Sequence, residues 1–175
     1  MVSNGDILVE LDHDDELTPD ALQEIHDAFL DPEVGFVYSD WCEPYPDGTS
    51  KKYSKGWGLG FGTEYWSEKF NVWVMQCPPI NNITLTHIVS VPNHVRAWRA
   101  NTYRYLNGHD ASLPVADDYD LIIRTVAITK TKHIPKMIYK QHATQESASN
   151  IRNALIQKLV PEIRAKYPPR IYGYN

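Results

Sequence analysis

Short apolar runs alternate along the chain with acidic, proline-bearing and glycine-bearing turns, a texture that predicts strands and helices in alternation. Residues 7–11 form a short apolar run bounded by polar turn residues and read as a buried strand. Thr18 and Pro19 stand where a helix begins, as its cap and first position, and Leu22, Ile25 and Phe29 follow at the spacing that turns one face to a sheet. Asp31-Pro32 ends that helix, and residues 34–39 predict a second buried strand delivering Asp40 at its carboxyl end. Further strands are expected near 71–76 and 87–91, extended chain over 94–99, and a short helix over 101–106 stopped by Asn107-Gly108. A helix over 116–128 places Leu121, Ile122 and Val126 on its apolar side. A strand over 132–141 and a terminal amphipathic helix over 149–167 complete the pattern. In that last helix Ile151, Leu155, Leu159 and Ile163 recur every four residues, and Pro161 is expected to kink or restart it.

Residues 41–62 break the rhythm with Pro, Gly, Asp, Lys and Tyr, and Pro46-Asp47-Gly48-Thr49 is a turn. The glycine-rich run 55–62 lacks the Lys-Ser/Thr ending of a phosphate-binding loop, so it reads as a mobile loop that reaches substrate at most. No internal repeat is present.

Composition narrows the class. A chain of 175 residues with 42% hydrophobic and 22% charged residues fits one soluble domain with a real core. A net charge of -5 argues against general nucleic-acid binding. Cys42 and Cys77 make neither a disulfide framework nor a zinc site and are expected to be reduced. No apolar stretch is long enough to span a membrane and no signal peptide is evident, which points to a cytoplasmic protein whose membrane link, if it has one, is peripheral. The 5 Trp and 11 Tyr suit a sugar-handling or partner-binding surface.

Two acidic runs carry the chemistry. The first, Asp12-His13-Asp14-Asp15, lies where the first strand ends and a helix approaches, the side on which open α/β sheets bind ligands. Carboxylates gathered there repel unless a cation relieves them. Asp12 and Asp14 offer the hard oxygens that Mg²⁺ or Mn²⁺ takes, with positions left open for phosphate. The second run, Asp117-Asp118-Tyr119-Asp120, opens a helix whose N–H groups hold a carboxylate ionised. Helix capping is the alternative use for either of the first two aspartates.

Taken together, Gly5-Asp6-Ile7 through Asp15, Val37-Tyr38-Ser39-Asp40, Arg99 to Gly108-His109-Asp110, Leu113-Pro114 to Leu121 with Arg124, and Tyr139-Lys140-Gln141-His142 resemble the family 2 inverting glycosyltransferases. The resemblance covers nearly the whole chain. It implies an α/β fold, a partial GT-A (Rossmann-like) mixed sheet flanked by helices. The chain, 1–175, is then one catalytic portion: a metal and donor region over 5–40, a loop region over 41–70, an acceptor and base region over 87–142, and the helix over 149–167. Asp12 and Asp14 would hold a divalent ion, Mn²⁺ or Mg²⁺, against the diphosphate of a nucleotide-sugar donor, most often a UDP-sugar. Asp118, or failing it Asp117, would be the base that deprotonates an acceptor hydroxyl on a glycan or other molecule. Asp40 is assigned to the donor or acceptor pocket and His142 to the metal or diphosphate. Trp57, Trp66 and Trp98 are weaker pocket candidates, for which packing is the simpler role. His13, His94 and His109 lie near these motifs without being assigned as ligands.

The match is to the C-terminal two-thirds of the family pattern. Members normally open with a nucleotide-gripping half of three further strands, here missing along with its aspartate for the base and its Thr-Tyr-Asn-like loop. The expectation is either a fragment in which Met1 is internal, or a short form that pairs with another chain. Either leaves the edge of strand 7–11 open to a dimer or partner. Two rival readings remain: a haloacid-dehalogenase-like Mg²⁺-dependent phosphatase, whose expected Thr or Val is replaced by Glu16, and a non-catalytic binding or assembly module.

Overall fold

The computed structural model describes residues 3–53, 57–142 and 152–173. Over these described residues it is α/β, a mixed, curled sheet of seven strands flanked by five helices. In chain order these are β1 (Ile7–Glu10), β2 (Glu16–Leu17), α1 (Ala21–Ala28), β3 (Val34–Cys42), β4 (Thr63–Ser67), β5 (Val72–Gln76), α2 (Asn82–His87), β6 (Arg96–Arg99), α3 (Ala100–Tyr105), α4 (Asp117–Val126), β7 (Lys130–Lys140) and α5 (Asn153–Lys166).

Strand β3 is the axis, and every one of its residues is buried. On one edge it pairs antiparallel with β6 through Phe36↔Trp98 and Val37↔Ala97, and β6 pairs antiparallel with β1. On the other edge it runs parallel to β7, which carries β2. Strands β1, β3 and β7 therefore point the same way, and their carboxyl ends share one rim with the amino end of β6. The β4–β5 hairpin joins near the end of β3 through Trp41↔Met75. Beneath the sheet Phe36 meets Trp98 at 4.9 Å between ring centroids, and the Trp98 indole N–H donates to Thr125 Oγ1 at 3.0 Å, fixing α4 to the sheet. Gly35 permits a close approach: a Cβ there would lie 2.2 Å from Thr129 Oγ1.

The main strands and helices stand where the apolar runs place them, with local corrections. Helix α1 starts at Ala21 because the Thr18 hydroxyl donates to Asp20 Oδ1 and the Thr18 carbonyl accepts from the Ala21 N–H. Its buried face is Ala21, Ile25 and Ala28, while Leu22 is 65% exposed. The expected strand over 87–91 is absent. Asn81 instead caps α2, accepting from the Ile83 and Thr84 N–H groups while the Thr84 hydroxyl accepts from the Asn81 N–H. The loop region 41–70 contains β4. Within its glycine-rich part, Trp57–Gly60 form a 3-10 turn in which Gly58 takes a φ of 63°. In the last helix Ile156, Val160, Ile163 and Tyr167 face Ala116, Tyr119 and Ile123, so the packing stripe is rotated from the expected one. The helix runs through Pro161, and residues 149–151 of the expected span lie outside the described residues.

The rim is shaped by two local events. Between Ser39↔Ile134 and Asp40↔Met137 the β3–β7 register slips, because Pro135 has no N–H for the ladder. Residues 11–15 then cross from the end of β1 to β2, where Leu17 pairs with Tyr139. That crossing lays the first acidic run beside the end of β7.

Candidate functional site

The rim gathers the two acidic runs around Arg96. This residue opens β6 among Val95, Ala97 and Trp98, and its side chain is only 6% exposed. Its guanidinium donates to Asp118 Oδ2 at 2.8 Å and to Glu10 Oε1 at 3.0 Å, with the His94 Nε2 at 3.2 Å. Burial pushes the Asp118 carboxyl up, but the Arg96 charge and hydrogen bond, with the Tyr119 N–H on Oδ1, hold it below the usual carboxylate range. Asp118 is ionised and partly exposed. Glu10 is the opposite case, since its burial outweighs the Arg96 charge and raises its pKa.

Ala116 sets the aim of the second run. It takes a left-handed conformation, φ 60° and ψ 19°, at the start of α4, an unusual state for a residue with a side chain. Asp117 turns to His109, Oδ2 to Nδ1 at 2.8 Å, and this hydrogen bond lowers the carboxyl and raises the imidazole. Asp120 is a structural member of its motif, buried on Arg124, which also donates to the Leu106 and Gly108 carbonyls.

On the first run, Asp12, Asp15 and His94 each offer a ligand atom within 4.8 Å of the others. Burial and the neighbouring Asp15 charge raise the Asp12 carboxyl, the condition a cation relieves. Carboxylate oxygens beside a neutral imidazole suit a divalent ion, so the residues present fit the metal that the resemblance implies. Asp14 is half exposed, its Oδ1 3.7 Å from His13 Nδ1. His142 is at the same turn: its N–H donates to Asp15 Oδ1 at 2.8 Å, and its Nε2 is 3.4 Å from Glu16 Oε1.

Of the expected site residues, the structure brings Asp12, Asp14, Asp117, Asp118 and His142 to one rim. Asp40 has other partners: its buried carboxylate accepts from the Cys77 N–H at 2.9 Å and meets His133 Nε2 at 2.7 Å. Trp98 is core, Trp57 packs on Trp41 and Tyr53, and Trp66 lies on the hairpin against Trp73. Sequence reasoning assigns no role to Glu10, Asp15, His94, Arg96 or Tyr139. The available signal for Arg96 was a charge inside an apolar strand, which a fold must pair when it buries it.

Among the described residues no helix is long and apolar enough to cross a membrane. Cys42 and Cys77 are free and buried. No family model matches the chain. Its sequence is similar to the chondroitin synthase of Pasteurella multocida (strain Pm70), 23% identical over 176 residues. The alignment takes in 99% of this chain and 16% of that protein, so the chain spans only a small part of its relative's length. The similarity supports a relationship between this chain and the glycosyltransferases.

Proposed function

We propose that this chain carries a metal-dependent, inverting glycosyl-transfer site, moving a sugar from a nucleotide-diphosphate donor, a UDP-sugar in the first instance, to a hydroxyl of a glycan or other acceptor. The observation that carries the reading is the meeting of the two acidic runs: Arg96 holds Asp118 and Glu10 while His94 Nε2 lies 3.7 Å from Asp12 Oδ2. The similarity to a chondroitin synthase supports transfer of a glycosyl group.

Asp118 is the base in this reading. Its carboxylate, ionised and fixed by Arg96 and the α4 backbone, accepts the proton of the acceptor hydroxyl. The acceptor oxygen bonds to the anomeric carbon from the face opposite the diphosphate, and the bond from that carbon to the diphosphate oxygen breaks with its electron pair leaving on the diphosphate. Asp12 with its neighbours on the turn, Asp14 by motif, would hold a divalent cation, which would supply positive charge where the leaving group gains negative charge. His142 stands beside that turn. Asp117, engaged by His109, is the reserve base. The open edge of β1 is the surface through which a second copy or a partner chain pairs.

Asp118→Asn tests the assignment. It keeps the shape of the site and is expected to leave donor affinity within about twofold while lowering transfer by about 10² to 10⁴. Full transfer by Asp118→Asn moves the base to Asp117 or out of this site. Trapping of a covalent phosphoaspartate at Asp12 would instead establish the phosphatase reading.

A further inference from the structure

We propose that His109, held by Asp117, selects the acceptor: its second ring nitrogen binds a hydroxyl of an uncharged sugar ring, next to the hydroxyl that Asp118 deprotonates. The sugar's role as acceptor rests on the glycosyl-transfer reading, whereas the binding site rests on geometry.

The loop before α4 is built to hold His109 in place. Asn107 and Gly108 take left-handed conformations, φ 60° and 64°, and a Cβ on Gly108 would lie 2.7 Å from the Tyr103 ring. Arg124 pins the Leu106 and Gly108 carbonyls while its charge is matched by Asp120. The imidazole that follows meets Asp117 Oδ2 through Nδ1 at 2.8 Å. A carboxylate on one ring nitrogen fixes the ring's tautomer and orientation, leaving the other nitrogen to a ligand. Among the described residues Nε2 makes no hydrogen bond, and the side chain is 29% exposed. The rim's other histidines serve the acidic turn. His94 is 5% exposed and stacks on Tyr139, whose hydroxyl donates to Asp15 Oδ2 at 2.6 Å, and the His142 N–H donates to the same carboxylate.

His109 instead lines a cavity of about 240 Å³ with Leu8, Val9, Glu10, Trp98 and Tyr103. Glu10 ties that cavity to the base, since Glu10 and Asp118 share the Arg96 guanidinium. Apolar and aromatic walls with a few placed polar groups are the make-up of a small-molecule site. Charge decides the class of ligand. Asp117 of α4 and Glu10 of β1 set carboxyl groups near the imidazole, and the Arg96 charge from β6 is already divided between two carboxylates. The Tyr103 hydroxyl of α3 meets the His109 backbone, Asp110 is engaged by Ser112, and Tyr167 lies across the neighbouring cleft. An anion gains little in such a place, whereas a hydroxyl can both accept from an N–H and donate to a carboxylate. The hydrogen bond to Asp117 and the nearby Glu10 charge raise the His109 pKa against its burial and the Arg96 charge. Below that raised value the imidazolium donates from Nε2, and a charge-assisted bond is about twice as strong as a neutral one. Above it the lone pair of Nε2 still accepts from a hydroxyl, so binding weakens without vanishing.

The test is saturation-transfer NMR titration of the full chain with the methyl β-pyranosides of glucose, galactose and mannose, for wild type, His109→Phe, His109→Gln and Asp117→Asn. Saturable binding of at least one sugar by wild type at pH 7 is expected, weakened tenfold or more in His109→Phe and fivefold or less in His109→Gln. As the pH rises through the His109 titration, wild-type affinity is expected to fall three- to tenfold. That fall moves to lower pH in Asp117→Asn and is absent in His109→Gln, a pattern that a merely structural histidine does not give. Nitrogen-15 histidine spectra of wild type need no variant to fold: the bound sugar is expected to shift the His109 Nε2 resonance. A sugar that binds without that shift overturns the proposal. So does equal binding by His109→Phe, displacement of the sugar by equimolar inorganic phosphate, or a folded wild type that binds none of the three sugars. UDP affinity measured in Mn²⁺ on the same samples separates the two readings. Where UDP binds and the sugar result fails, the transfer reading stands without this site; where the sugar result holds and UDP does not bind, the site stands and the transfer reading falls.

Discussion

His94 shows how burial changes the chemistry of an ordinary residue. Unfolded, its ring titrates near 6.5, whereas in the folded protein burial and Arg96 lower that value to about 3. Between those pH values the unfolded chain binds a proton that the folded chain refuses, so stability falls as the pH falls from 6.5 toward 3 and is unaffected by this group above 6.5. The loss is at most about 1.4 kcal/mol per pH unit. Urea denaturation of wild type and His94→Gln at pH 7, 6 and 5 is expected to give a shallower decline in the variant; parallel curves would show that His94 takes up its proton in the fold. In the sequence His94 is only one of several histidines near the motifs, with nothing to single it out. Asp12 and Asp118 stand out as candidates because acidic residues cluster at a strand end and a helix start, which is local information. Asp15, Arg96 and Tyr139 owe their roles to partners distant in the chain, and local spacing carries no trace of those partners.

At the scale of elements, α4 separates a buried structural aspartate from the partly exposed ones within one motif. Asp120 is 2% exposed and its carboxylate holds Arg124, whose remaining contacts are the carbonyls of Leu106 and Gly108. Asp120→Ala strands that guanidinium and is expected to cost about 3–5 kcal/mol of stability in urea denaturation, while the Asp118–Arg96 pair stays intact in the molecules that remain folded. A loss below about 1 kcal/mol would place Asp120 outside the scaffold. The same element shows what patterning can read. Strands β1 and β3 announce themselves by short apolar runs ended by turn residues. Strand β4 does not, because Thr63, Glu64, Tyr65 and Trp66 lie on the exposed strand of the hairpin, whose texture is that of a loop. The run near 87–91 resembles a strand in composition, but the cap at Asn81 commits the preceding residues to a helix. In α5 the packing stripe is set by α4, where Arg164 reaches the Tyr119 hydroxyl at 2.7 Å, and not by the most regular apolar spacing.

For the whole molecule, the sheet order explains both the site and an exposed liability. Strands β1, β3 and β7 end on one rim, which is why motifs far apart in sequence meet there. Strand β1 pairs with β6 alone among the described residues, so its outer edge presents free backbone groups along a half-buried apolar strand. Sedimentation velocity over a range of concentrations is expected to show reversible association through that edge; a monomer unchanged across the range would contradict it.

The central claim is that this rim binds a divalent ion and a nucleotide diphosphate together. Calorimetric titration of the chain with UDP, with and without Mn²⁺, on wild type and Asp12→Ala tests it most directly. The account predicts saturable binding by wild type in Mn²⁺, and none without the ion or in Asp12→Ala. A folded wild-type chain that binds neither UDP nor GDP in the presence of Mn²⁺ would contradict it.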